Sequence, residues 1–372
     1  MATQQTPQAV DGTTAEGYEA VRRVFQELVD EGQETGAGLS VWRNGEEVVR
    51  LGGGWADAGR TRPWRHDTLV QPYSVSKPFT ALAALVAVRA GSLELDRPLA
   101  DTWREYAGNG KDRVTLRHVL THQAGQPRFP ASAAGLDPLD DAALRASLAA
   151  APLEYAPGTR IGEHALTYGH LIDGALRAGA GTTLGELFNE EVRPALGLDA
   201  WFGVPDDALG RVADLEHAHP AWRAELPSAP WLQVPAGPLD PAVTNSADWR
   251  RSVFGAVNLH ADASSVARFF SRLTDAGGPL RQLLGRELHQ AYVTPQVTGH
   301  DDLFDTELTW TLGLLVDRHK IAKGGIGGSA GWWSPGQGHA VAYLTRRLGD
   351  HGRAARIAAA LGDDLTVTPM ES

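Results

Sequence analysis

The chain is 372 residues long, with 42% hydrophobic and 21% charged residues, a composition that excludes a disordered chain and supplies a large core. A formal net charge of −11 with no basic tract excludes a nucleic-acid footprint, and the absence of cysteine excludes disulfides, thiolate nucleophiles and Cys-bound metals. The longest apolar run, Ala81–Val88, is too short for a bilayer, and residues 1–20 lack a signal-peptide pattern, so a cytoplasmic protein without a membrane partner is expected.

Thr13 and Glu16 have capping-box spacing, and Tyr18, Val21, Val24, Phe25, Leu28 and Val29 follow at helical intervals. This predicts an opening helix from Thr14 to about Gln33. Two short strands, Leu39–Trp42 and Glu47–Leu51, flank Asn44-Gly45, the pair that a type I′ hairpin turn favours. From Ser74 to Gly91 the apolar spacing is helical. Further helices are predicted at Asp141–Ala150, Leu184–Glu191 and Ser264–Leu273, and one starts near His170. Residues 204–241 form a long Pro- and Trp-rich loop. Strand character returns at Trp310–Val316, Trp332–Trp333 and Ala340–Leu344, before a closing helix, Arg353–Leu361, that stops at Gly362. Strands at both ends with helices between them predict a discontinuous α/β domain, residues 1–73 and 251–372. A mainly helical domain, 74–250, is inserted in it, with the active site at their interface.

Three segments carry residues suited to chemistry. Ser74-Val75-Ser76-Lys77 sets a hydroxyl at a helix start, with a lysine one turn further on the same face. The apolar sequence after it can bury the lysine stem and so lower its pKa. A fall of about 3 units, or about 4 kcal/mol, would make the amine a base near neutral pH. Tyr168 lies in an irregular segment, Glu163–His170, from which a phenol can reach a cleft. Lys323-Gly324-Gly325-Ile326 offers a cation and glycines that let backbone N–H groups approach a ligand. Ser329 sits in a G-x-S-x-G pattern, but a strand rather than a helix follows it, so it is not read as a nucleophile. His217-Ala218-His219 lacks a completing carboxylate pattern, and no metal site or cofactor is predicted.

Together these segments resemble the serine hydrolases of the penicillin-binding-protein and class C β-lactamase group, and family VIII carboxylesterases above all. Ser74–Lys77 is similar to the first motif of that group, His164–Gly169 to its tyrosine motif and Lys323–Gly331 to its third. Val119–Gly125 and Pro194–Leu198 add matches, and the likeness runs over roughly residues 15–362. It implies an α/β fold of the β-lactamase/penicillin-binding-protein type: an antiparallel sheet flanked by helices, plus an inserted all-α domain. It implies Ser74 as nucleophile, Lys77 and Tyr168 as the base system, and the N–H groups of Ser74 and Ile326 as the oxyanion hole.

Lys323, Gly324, Gly325 and His170 then face the substrate. Trp249 is expected there too, with Trp222, Trp231, Trp332 and Trp333 also lining the cleft. His170 stands where β-lactamases carry asparagine, and Gly324 where they carry threonine, which moves the reading away from β-lactams. Lys323 leaves room for a substrate carboxylate. The expected activity is hydrolysis of a small-molecule carboxylic ester through an acyl-enzyme on Ser74. The alternative is acyl transfer to an amine or alcohol, and a β-lactamase or D-peptidase is a weaker reading.

Overall fold

The computed structural model describes residues 9–226, 232 and 234–365. Nine strands make one sheet: β1 (Asp11–Thr14), β2 (Gly36–Arg43), β3 (Glu46–Gly54), β4 (Val297–Asp301), β5 (Thr306–Trp310), β6 (Leu315–Asp317), β7 (Lys320–Gly324), β8 (Ala330–Ser334) and β9 (His339–Thr345). Their order is β1-β3-β2-β9-β8-β7-β6-β5-β4, with every neighbouring pair antiparallel. The Asn44-Gly45 turn has φ of 52° and 81°, the left-handed pair its sequence predicts. β1 was not foreseen. Thr13 and Thr14 do not enter a helix but pair with Arg50 and Val49 on β3, where two β-branched residues fit an exposed sheet edge.

Side chains alternate across the sheet and fix its two layers. Leu39, Val41, Trp332, Val341 and Tyr343 point to one face, where they pack with Phe25 and Leu28 of α1 (Glu19–Asp30) and Ile357 near the C-terminus. On β9, Ala340, Ala342 and Leu344 point the other way, toward the larger apolar cluster. That cluster continues without a break into the helical part of the chain.

The helices that concern the site are α2 (Lys77–Arg89), α3 (Asp141–Ala150), α4 (Tyr168–Ala180), α5 (Ala263–Ser271), α6 (Pro279–Val293) and α7 (Gly352–Ala360). α5 lies on β2, β8 and β9, and Gly331 makes room for it, since a Cβ there would meet Phe270 at 2.4 Å. α7 packs beside α1 on the opposite face. The predicted strand Trp310–Val316 is two strands, interrupted at Gly313, whose φ is 110°. The predicted helix Leu184–Glu191 is also interrupted, changing from one α turn into wider π-type winding at Phe188–Val192. No helix among the described residues is long and apolar enough to cross a membrane.

Candidate active site

α2 is buried over its whole run from Lys77 to Ala87, so its first residue has no surface to reach. Three hydrogen bonds from other elements fix that helix start. Tyr292 on α6 donates to the Pro78 carbonyl at 2.7 Å, Thr80 Oγ1 donates to the Gly255 carbonyl at 2.6 Å, and Ser76 Oγ accepts from Leu259 N at 3.1 Å. The preceding residues, Tyr73–Ser76, form a tight 3₁₀ turn. Tyr73 has φ of 49°, a left-handed conformation that non-glycine residues seldom adopt and that often marks functional turns.

Within this frame Lys77 Nζ lies 2.7 Å from Ser74 Oγ and 3.0 Å from the Ala165 carbonyl. Glu163 Oε1 is 3.2 Å from the same ammonium and accepts from Lys323 Nζ at 2.8 Å. The Lys323 ammonium also lies 4.7 Å from the Trp310 ring centroid. Burial lowers the Lys77 pKa, with Glu163 acting against it and Lys323 with it, and the result is about 8. Burial alone would raise the Glu163 carboxyl, but Lys323 and Lys77 hold it far below the ordinary carboxylate range. Glu163 is therefore an anion between two cations.

Ser74, Glu163, Lys323, Gly324 and Ile326 line one cavity of about 280 Å³. The end of β7 runs against the Tyr73–Ser76 turn closely enough that a Cβ on Gly325 would sit 2.0 Å from the Pro72 carbonyl oxygen. That contact explains why the segment after Lys323 needs glycine. Among the described residues, no acceptor takes the backbone N–H of Ser74 or of Ile326. Ser74 and Ile326 line the same cavity, and N–H donors that converge on one point stabilise a developing oxyanion.

The structure gives Tyr168 a different place from the expected one. Its side chain is fully buried, and its hydroxyl has no hydrogen-bond partner among the described residues. A Cβ on Gly313 would come within 3.0 Å of that hydroxyl, and Tyr168 is not among the residues that line the cavity. The ring lies 4.9 Å from that of His122. Burial, with the Glu163 charge, raises its pKa well above the ordinary value. The partner beside Lys77, a place that the resemblance gives to tyrosine, is the Glu163 carboxylate.

His170 is also displaced from the site. It is buried between the rings of Phe129 and Phe254, at 5.3 and 4.5 Å. Trp249 is buried and does not line the cavity; its indole donates to Gln71 Oε1 at 2.7 Å. Trp332 faces the opposite layer and donates to Asp363, while Trp222 does line the cavity and Trp231 lies outside the described residues. Ser329 is buried in a turn and accepts from Thr345 N at 3.1 Å.

Glu163 is the residue that sequence reasoning passed over, although it begins the quoted segment Glu163–His170. A single glutamate in a loop is ordinarily solvated, and only the fold reveals that this one is enclosed. Its segment is braced on both sides: His122 Nδ1 accepts from His164 N at 3.1 Å, and Asp301 Oδ1 accepts from Glu163 N at 3.4 Å.

A family model described as Beta-lactamase matches residues 21–364. The chain belongs to the beta-lactamase family. Among its relatives in this family is the protein named Esterase/beta-lactamase LipL of Mycobacterium tuberculosis, 29% identical over 91% of this chain and 83% of that one. A penicillin-binding-protein homologue from Caulobacter crescentus, solved by crystallography, superposes with a TM-score of 0.80 at 32% identity, covering 94% of this chain and 97% of that one. The crystal structure of a family VIII carboxylesterase gives the same TM-score at 27% identity, covering 95% and 99%. The expected fold, an antiparallel sheet flanked by helices, is the fold of this family. At family level the chain is a serine hydrolase with esterases among its relatives.

Proposed function

We propose that the protein is a serine carboxylesterase that forms its acyl-enzyme on Ser74. The observation that carries this reading is the 2.7 Å contact between Ser74 Oγ and a buried Lys77 whose pKa is about 8, at the wall of an apolar cavity. The neutral Lys77 amine takes the hydroxyl proton as Oγ attacks the ester carbonyl. The N–H groups of Ser74 and Ile326 receive the oxyanion. When the tetrahedral intermediate collapses, the C–O bond to the alcohol breaks and the Lys77 ammonium returns the proton to the leaving alkoxide. A water molecule repeats the sequence, with Lys77 accepting its proton, and releases the acid and free Ser74.

Trp222, Leu226, Leu239, Val257 and Phe304 give the cavity apolar walls suited to the acyl and alcohol parts of a small ester. Intact-mass measurement with p-nitrophenyl butyrate should find one butyryl group, mapped to Ser74. The adduct and the turnover should both vanish in Ser74→Ala. A butyryl group on Ser329, or full turnover in Ser74→Ala, would reject the assignment. An added amine or alcohol in the same assay separates hydrolysis from acyl transfer, because the two share the Ser74 intermediate and differ only in the acceptor.

A further inference from the structure

An isolated ammonium at the end of an apolar cavity is a natural partner for a ligand carboxylate. Lys323 lines the cavity and would be that partner, but its ammonium is already engaged by a carboxylate of the chain itself. Glu163 Oε1 accepts from Lys323 Nζ at 2.8 Å, and both side chains are about 2–3% exposed. The same carboxylate also faces Lys77 at 3.2 Å. Two further carboxylate residues, Glu225 and Asp350, line the cavity, with His219 3.2 Å from Glu225.

We infer that Glu163 makes this a site for neutral esters, by filling from within the chain the place that a substrate carboxylate would take on Lys323. An anionic ligand that displaced Glu163 from Lys323 would leave a buried carboxylate short of one partner. An anionic ligand that stayed beside Glu163 would meet like charge at close range in a poorly solvated site. A neutral ligand meets neither cost. Glu163 is thus a specificity-determining residue, and it selects by exclusion.

The inference rests on Ser74 being the nucleophile, so its test reads Ser74 reactivity and not ester turnover. The probes are two p-nitrophenyl alkylphosphonate diesters, identical except that one chain ends in a methyl group and the other in a carboxylate. In each, the Ser74 Oγ–P bond forms, p-nitrophenolate leaves, and Lys77 accepts the hydroxyl proton. Labelling rates are followed by intact mass. The neutral probe should label the unmodified protein about tenfold faster or more, and Glu163→Gln should shrink that ratio by about tenfold, since one such charge contact is commonly worth a factor of this size. Adding Lys323→Met to Glu163→Gln should abolish the shift.

A ratio unchanged by Glu163→Gln overturns the inference while leaving Ser74 in place. Failure of both probes to label Ser74 in the unmodified protein rejects the nucleophile reading instead. A measurement without any variant covers the case in which Glu163→Gln does not fold. Added salt should speed labelling by the anionic probe and leave the neutral probe unaffected, because screening weakens repulsion. Slower anionic labelling with added salt would reveal attraction and overturn the inference.

Discussion

Two amines and one carboxylate share the polar end of the cavity, and each determines what the others can do. In the proposed mechanism Lys77 serves as base only in its neutral form, and its pKa is about 8. The neutral fraction grows with pH, so kcat/KM for a neutral ester should climb on approach to pH 8 and level off above it. Glu163 raises the Lys77 pKa, so Glu163→Gln should move that inflection to lower pH. A profile flat from pH 6 to 9 would remove Lys77 from the role of base. Tyr168 invites the opposite expectation. Its buried hydroxyl has no partner among the described residues, and such a group costs about 1–3 kcal/mol. Tyr168→Phe should therefore keep kcat/KM and hold or raise the melting temperature. A collapse of kcat in a folded Tyr168→Phe protein would return the phenol to the chemistry.

At the scale of elements, the site depends on β7 ending against the turn that carries Ser74. A Cβ on Gly325 would sit 2.0 Å from the Pro72 carbonyl oxygen, a contact that backbone must relieve by moving. Gly325→Ala should separate the Ile326 N–H from Ser74 and reduce kcat about a hundredfold, as ångström-scale misplacement does. Circular dichroism unchanged alongside kcat within a fewfold of the unmodified protein would contradict this. The hairpin and the Ser74–Lys77 turn were legible in the sequence because local chemistry dictates them: Asn-Gly for one, i,i+3 spacing on a helix for the other. Tyr168 was misplaced because α4 is buried from Tyr168 to Leu176, and a helix enclosed on all sides has no polar stripe to reveal which way a residue faces. β1 escaped because its strand character comes from an exposed edge of β3 that is distant in sequence. Glu163 escaped for a similar reason, since Lys77 and Lys323 reach it from elements 86 residues before and 160 after.

Across the whole molecule, the sheet separates the cavity from a layer that serves stability. On the far face, Asp363 follows α7 and accepts from Trp332 Nε1 at 2.8 Å and from Ser334 Oγ at 2.5 Å, with His339 Nε2 at 2.8 Å. One carboxylate thus ties the chain beyond the last helix to β8 and β9. Asp363→Ala leaves those buried groups without their acceptor, which at about 1 kcal/mol or more each should lower stability by about 3 kcal/mol. The cavity-lining residues lie elsewhere, so kcat/KM of the folded fraction should not change. The pH dependence has a definite sign. Burial opposes ionisation of Asp363, but His339, Ser334 and Trp332 together hold its pKa below the ordinary 3.8. A depressed carboxyl contributes its full stability above the unfolded value and loses it as pH falls through the folded one. The gap in urea midpoint between the unmodified protein and Asp363→Ala should therefore be widest near neutral pH and narrow in acid below 3.8. A gap that widened on acidification would mean that the carboxyl is protonated in the native fold, and would break the clamp as described.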